Sequence, residues 1–388
     1  MQKKIAIATS TRADWGLLSP IARRLADTPN VEIAIMATNM HYVPTYGLTY
    51  KEILNDGFEI AAEIPVFGTP AEISAKCINE FFVSFSSLKA DCVIILGDRF
   101  EMLAVAMAAV LSKTPIVHIA GGAISEGAFD DSFRHAITKM SVLHLTETEQ
   151  YRKRVIQMGE PPENVVNTGA IGVYNALNLP LMTKDELEKS IGFEFGEKSL
   201  LVTLHCATLD VISPQEQMQN LLSALDSVPD YKILFTHPNN DSDAEELITM
   251  IDDYASKNKD RVCVVPSLGR IRYLSVLQFI SAVVGNSSSG LVEVPSMKIP
   301  TLNIGIRQRG RTAGPSVMTC DSSTEAIRKG LTEILSDNFR SISANSENPY
   351  AQPDTLNKIV SAILTFDFKK NRTKHFFDIK DCNNESNI

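Results

Sequence analysis

The stretch Val93-Ile94-Ile95-Leu96-Gly97-Asp98-Arg99-Phe100-Glu101 decides the fold. Four apolar residues in succession, with no polar alternation, predict a strand buried on both faces, as in a parallel sheet covered by helices. Outward from it, short apolar runs at 5–8, 33–37 and 116–119 alternate with amphipathic segments at 17–25 and 103–111. This βα repetition predicts an α/β fold in which ligands gather at the carboxyl ends of the strands. Asp98 leaves the sheet at such an end. With Arg99 it could form a structural ion pair, but the position is where doubly wound folds place chemistry.

The next strand end opens a denser segment, His118-Ile119-Ala120-Gly121-Gly122-Ala123-Ile124-Ser125-Glu126-Gly127-Ala128-Phe129-Asp130-Asp131-Ser132-Phe133-Arg134-His135. Three glycines allow sharp turns, and Glu126, Asp130, Asp131, Arg134 and both histidines crowd acid/base groups together. A plain polar loop would use Asp130 or Asp131 only as a helix N-cap. At the first strand end, Thr9-Ser10-Thr11-Arg12-Ala13-Asp14-Trp15-Gly16 offers hydroxyls for a helix start and Arg12 for a phosphate. The bland alternative there is capping alone, with Asp14 exposed and Trp15 packed. No G-x-G-x-x-G occurs, so a dinucleotide fingerprint is absent. Residues 147–154 read as an exposed, salt-bridged helical face. Composition shifts to a linker between 178 and 187, which sets a first domain at 1–178 and a second at 179–345. An amphipathic helix follows within 346–366, and the polar tail 367–388 is expected to fray.

The second half repeats the rhythm at 199–204, 232–235, 262–265, 282–284 and 301–304, each run ending in polar residues. His205, His237, the Asn286-Ser287-Ser288-Ser289 run and the Arg307-Gln308-Arg309-Gly310-Arg311 loop thus share one rim. Gly285 to Gly290 opens a helix expected over 291–297, whose N–H groups and hydroxyls suit a diphosphate, with Glu293 one turn in to accept ribose hydroxyls. The arginine-rich loop at the next strand end strengthens the anion reading.

At 388 residues the chain is long enough for two domains, and 44% hydrophobic with 21% charged residues fits a soluble globular enzyme. No apolar run approaches a membrane span, and the run from Met1 straight into a strand predicts a cytoplasmic protein. The net charge of −9 argues against a nucleic-acid surface. Six scattered cysteines and no clustered His/Cys ligands predict neither a disulfide framework, a metal site nor any other cofactor.

Taken together, T-R-A-D-W-G at 11–16, G-D-R-F-E at 97–101, F-D-D-S-F-R-H-A-I-T-K at 129–139, N-T-G-A-I-G at 167–172, T-H-P-N-N-D at 236–241, G-N-S-S-S-G at 285–290 and R-Q-R-G-R at 307–311 make a specific set. The sequence closely resembles the hydrolysing UDP-N-acetylglucosamine 2-epimerases of bacterial sialic-acid pathways, over residues 1 to about 365. The resemblance implies two Rossmann-like domains facing across a cleft, a glycosyltransferase-B-like arrangement, with the C-terminal helix returning to the first domain. It implies a metal-free reaction on a UDP-sugar: proton removal from C2 with departure of UDP, then hydration of a 2-acetamidoglucal to N-acetylmannosamine. By position Asp98 and Asp131 would be acid/base carboxylates and His205 a functional histidine. Arg12, Arg99, His237, Ser288, Ser289, Glu293, Arg307 and Arg311 would bind the UDP-sugar. A homodimer or homotetramer is also implied.

Two positions depart from the family pattern. Its members commonly carry Glu directly after the Gly-Gly pair, where this chain has Ala123, so either Glu126 substitutes or the chain binds nucleotide sugar without full turnover. Cys206 stands where the family usually has Pro, and is expected to be packed and inert. A UDP-linked 2,4-diacetamido-trideoxyhexose, as in legionaminic acid synthesis, fits the same motifs. The non-hydrolysing 2-epimerases fit less well, because they carry His-Arg-Arg-Glu-Asn where this chain has His205-Cys206-Ala207-Thr208-Leu209.

Overall fold

The computed structural model describes residues 2–126, 129–206, 212–238 and 244–379. The apolar run that decides the fold is the strand Cys92–Leu96, with Val93, Ile94 and Ile95 fully buried. Burying each such side chain stabilises the sheet by roughly 1.5–3 kcal/mol, so a strand without polar alternation has no solvent face to offer.

The chain divides into two units: Met1–Ala123, Asp130–Ile171 and Gln352–Ile388 form the first, and Ile124–Phe129 with Gly172–Ala351 the second. In the first, β1 (Lys3–Thr9), β2 (Val31–Thr38), β3 (Ile60–Ile64), β4 (Cys92–Leu96), β5 (Ile116–Ile119), β6 (Leu143–Thr146) and β7 (Val165–Asn167) lie in the order β3-β2-β1-β4-β5-β6-β7. Every pairing is parallel, and β1 and β4 occupy the middle. The sheet order reverses between β1 and β4, which places the ends of these two strands at the topological switch point. The helix Thr355–Thr365 packs on the helix Arg12–Ala26, and Lys3 Nζ donates to the carbonyl of Leu364 at 2.7 Å.

The second unit holds β8 (Ser199–Thr203), β9 (Lys232–Thr236), β10 (Val262–Val265), β11 (Ala282–Gly285), β12 (Thr301–Ile304) and β13 (Val317–Cys320), ordered β10-β9-β8-β11-β12-β13. Again all pairings are parallel. Its core joins Leu200, Val202, Phe235, Val284, Leu302 and Ile327, and the expected packed Cys206 lies among them. At the end of β11, Gly285 adopts φ +134°, and a Cβ there would stand 1.8 Å from the Thr203 carbonyl oxygen. Only glycine lets the serine loop leave the sheet at that point.

Three local expectations change. The helix expected over 291–297 is one turn, Ser289–Val292, followed by a 3-10 turn Val294–Met297, because Pro295 cannot donate within a continuous helix. The linker at 178–187 contains the start of a helix, Lys184–Ile191, closed by a Thr183/Glu186 capping box. The charged face at 147–154 is only partly a solvated surface: in the helix Glu149–Gln157 the Tyr151 and Val155 side chains are buried, and Arg154 donates to the Gly122 carbonyl at 2.5 Å.

Candidate active site

In the first unit, the ends of β4 and β5 and the helix Asp130–Met140 meet around one buried guanidinium. Arg134 is 2% exposed. Its NH2 donates to Asp98 Oδ2, and its NH1 donates to Asp131 Oδ1 and to the Ala123 carbonyl, both at 2.9 Å. The structure therefore brings Asp98 and Asp131 together, and the partner of Asp98 is Arg134 rather than its neighbour Arg99. A planar fork can direct separate N–H groups at two carboxylates and a carbonyl in fixed geometry, which the single point charge of a lysine does not reproduce. The i,i+3 spacing of Asp131 and Arg134 was the available signal.

Behind the pair, burial pushes the His118 imidazole down to about 3, so the ring is neutral. Its Nε2–H then donates to the Gly97 carbonyl at 2.9 Å, and Nδ1 accepts from Thr138 Oγ1 at 3.1 Å. His118 thus ties β5 to the residue before Asp98. Gly121 passes so close that a Cβ would lie 2.9 Å from the His118 ring. His135 stands 3.4 Å from Asp131 Oδ2; burial lowers its pKa, with Asp131 opposing.

Arg99 pairs instead with Glu101, whose side chain is fully buried, at 3.1 Å; Asn39 Nδ2 donates to the same Glu101 oxygen. Arg12 is exposed at the first position of its helix. The N–H groups beside it are already taken: Asp14, buried rather than exposed, accepts from the backbone N–H of Ser10, Thr11 and Trp15 at 2.8–2.9 Å. A resident carboxylate fills that helix start, so any anion contact there falls to the Arg12 side chain.

In the second unit, Asn286 organises the candidates. Its amide clamps the His205 backbone reciprocally, accepting from N at 2.7 Å and donating to O at 2.9 Å. Its own carbonyl accepts from Arg307 NH1 at 3.1 Å and from Gln308 Nε2 at 2.8 Å. Burial pushes His205 down to about 3, and the neighbouring Arg307 adds to this. Ser288 and Ser289 start the one-turn helix. The Ser289 Oγ and the Tyr273 hydroxyl are both buried, and the Ser289 side chain adjoins Tyr273 and Glu293. Desolvation raises the Glu293 carboxyl. Arg311 donates to Ser125 Oγ from both Nε and NH2 at 3.2 Å, and Glu126 is exposed, with its N–H on the Arg309 carbonyl at 3.3 Å. His237 ends β9 half-buried, 4.0 Å from Asp252, too far for a hydrogen bond. Gly127 and Ala128, Ala207, Thr208 and Leu209, and Asn239, Asn240 and Asp241 lie outside the described residues.

Asn286 and Glu101 lie in sequence motifs but carried no role there, because their partners His205 and Asn39 are 81 and 62 residues away; Tyr273 follows no motif. Among the described residues there is no group of three or more His, Cys, Asp or Glu able to hold a metal ion, and no helix is long and apolar enough to cross a membrane.

Two doubly wound parallel sheets with polar side chains gathered at their strand ends place the chain in the Rossmann-like class of α/β proteins. A family model described as UDP-N-acetylglucosamine 2-epimerase matches residues 23–364. The polysialic acid biosynthesis protein P7 of Escherichia coli is 36% identical over 388 residues, covering 98% of each chain. The GDP/UDP-N,N'-diacetylbacillosamine 2-epimerase (hydrolyzing) of Campylobacter jejuni is 35% identical, covering 94% of this chain and 95% of the relative. The solved UDP-GlcNAc 2-epimerase of Neisseria meningitidis bound to UDP-GlcNAc shares the fold with a TM-score of 0.79 at 18% identity, covering 93% of this chain and 99% of that one. The chain belongs to the UDP-N-acetylglucosamine 2-epimerase family.

Proposed function

We propose that the chain is a hydrolysing 2-epimerase that converts UDP-N-acetylglucosamine and water to N-acetylmannosamine and UDP. The observation that carries this reading is the pair of carboxylates, Asp98 and Asp131, fixed on one buried guanidinium. Removing the C2 proton needs a positioned base, and returning a proton to the opposite face needs an acid. One carboxylate takes the proton from C2 while the C1–O bond breaks and UDP leaves with the bonding pair. Water then adds hydroxyl to C1, the other group delivers a proton to C2, and the free sugar is the 2-epimer. Arg134 offsets the repulsion between the two carboxylates.

The second unit takes the UDP in this reading. The one-turn helix at Ser289 is too short for a substantial macrodipole, so the donors are the loop N–H groups, the two serine hydroxyls and Arg307. Glu293 accepts from ribose, and His237 and Arg311 complete the set. Arg307→Ala should weaken UDP by about 1.5–3 kcal/mol, the scale of a charge-assisted hydrogen bond. Unchanged UDP affinity by calorimetry removes that role.

A reaction driven by these donors needs no metal ion. Exhaustive EDTA treatment should leave turnover intact; loss of activity that Mg²⁺ restores would show the metal-free mechanism to be wrong.

The similarity to the Campylobacter jejuni enzyme favours a second substrate, UDP-linked 2,4-diacetamido-trideoxyhexose, processed by the same steps. Incubating the protein with each UDP-sugar in turn, and following UDP and free sugar by NMR, decides between them. Release of UDP from neither sugar defeats both readings.

A further inference from the structure

The helix Asp130–Met140 carries Asp131 and Arg134, and its far end is closed by a residue more than 230 positions away in the chain. Lys374 Nζ donates to the carbonyls of Thr138, Lys139 and Ser141 at 3.3, 2.6 and 2.8 Å, and pairs with Glu160 Oε2 at 2.8 Å. Carbonyls of a last helical turn have no intrahelical partner, and a cation is favoured there. Ser141 Oγ serves the Ile137 carbonyl and the Ser141 N–H the Thr138 carbonyl, so Lys374 adds a second donor at Thr138 and serves the Lys139 and Ser141 carbonyls beyond it.

The strap that brings Lys374 into place is the segment after Phe368, which was expected to fray. Its Phe377 N–H donates to the Gly159 carbonyl at 2.9 Å, and the Phe376 ring lies over Gly159 with Lys139 Nζ 4.8 Å from its centroid. Glu160 is 1% exposed and gathers Lys139 at 2.6 Å and His144 Nε2 at 3.0 Å besides Lys374. Burial alone would raise this carboxyl, but the donors from His144, Lys139 and Lys374 outweigh it and hold it at about 2.

We propose that Lys374 is a positioning residue for the reaction, holding the helix Asp130–Met140 so that Asp131 and Arg134 stay in register with Asp98. The lever is short. Eight residues at 1.5 Å each put Asp131 ~12 Å from the capped end, and Thr138, whose carbonyl Lys374 binds, also contacts His118, which binds the Gly97 carbonyl beside Asp98. A small slide at the capped end therefore reaches both carboxylates. This rests on the assignment of Asp98 and Asp131 as the acid/base pair.

The test uses the full chain with Lys374→Met, Lys374→Arg and Asp131→Asn, measuring single-turnover UDP release, UDP affinity by calorimetry and the melting temperature. K374M should lower the rate at saturating UDP-sugar roughly tenfold, the size of one lost charged hydrogen bond. UDP affinity should be unchanged, and K374R should recover most of the rate. A parent-like rate in K374M, at a temperature where it is folded, overturns the proposal, as does an equal loss in K374R and K374M. If K374M does not fold, Lys374→Gln keeps an uncharged donor group and is read the same way. A normal rate in Asp131→Asn sinks the acid/base assignment instead, whatever Lys374 does.

Discussion

Replacing Arg134 with Met is expected to slow UDP release by roughly 10²–10³-fold, the scale seen when one preorganised donor is removed from a reacting centre. It should also destabilise the protein by about 2–4 kcal/mol. Breaking a buried ion pair by removing one partner typically costs about 3–5 kcal/mol, because the other charge is left uncompensated. Here the guanidinium is 2% exposed, but the Asp98 and Asp131 side chains are 25% and 29% exposed, so water recovers part of the loss. Without the fork the two carboxylates repel, and the Ala123 carbonyl loses its donor. Lys in place of Arg keeps the charge yet cannot reach three acceptors in one plane, so Arg134→Lys should restore stability more than rate. Urea denaturation and single-turnover kinetics on both variants provide the check. A Met variant that melts lower but releases UDP at the parent rate would show that Arg134 is only a structural bridge.

What was legible in advance follows from how far a signal travels along the chain. The strands at 93–96, 199–203 and 282–285 announce themselves because a strand buried on both faces must be apolar throughout. The strands β3 and β13 end their sheets and are buried on one face or less, with exposure alternating along β3, and β7 has three residues; none of the three has a run long enough to be read. The site divides the same way. The candidates Asp98, Ser288 and Arg307 stand out because each follows an apolar run within a few residues, and Asp131 because it lies in a dense cluster of acid/base groups. The Arg134 bridge was half visible, through its spacing from Asp131. The Asn286 clamp on His205 spans 81 residues and the Lys374 cap about 235, and no local pattern encodes either. The Lys374 case carries the sharper lesson: a polar tail of mixed charge is ordinarily a solvated one, and only the carbonyls left open at the end of another helix make it a strap.

Ala123→Glu is expected to raise the turnover number by roughly 10²–10⁴-fold, the contribution of a general acid or base, if the carboxylate that this family commonly carries after Gly-Gly is an essential proton carrier. Ala123 is 5% exposed, and its backbone carbonyl accepts from Arg134, so residue 123 adjoins the Asp98–Arg134–Asp131 cluster through its main chain. The larger side chain must displace neighbours in a buried position, at a cost of about 1–3 kcal/mol. A lower melting temperature with a higher rate is therefore the expected combination. UDP affinity should change little, since the nucleotide is assigned to the second unit. The competing account gives the proton to Glu126, which is exposed and has its backbone on the Arg309 carbonyl. On that account the parent is already active, Glu126→Gln abolishes activity and Ala123→Glu gains nothing. Single-turnover UDP release from the parent and both variants separates the two, and parent-like rates in all three would leave Asp98, Asp131 and His205 as the sufficient set.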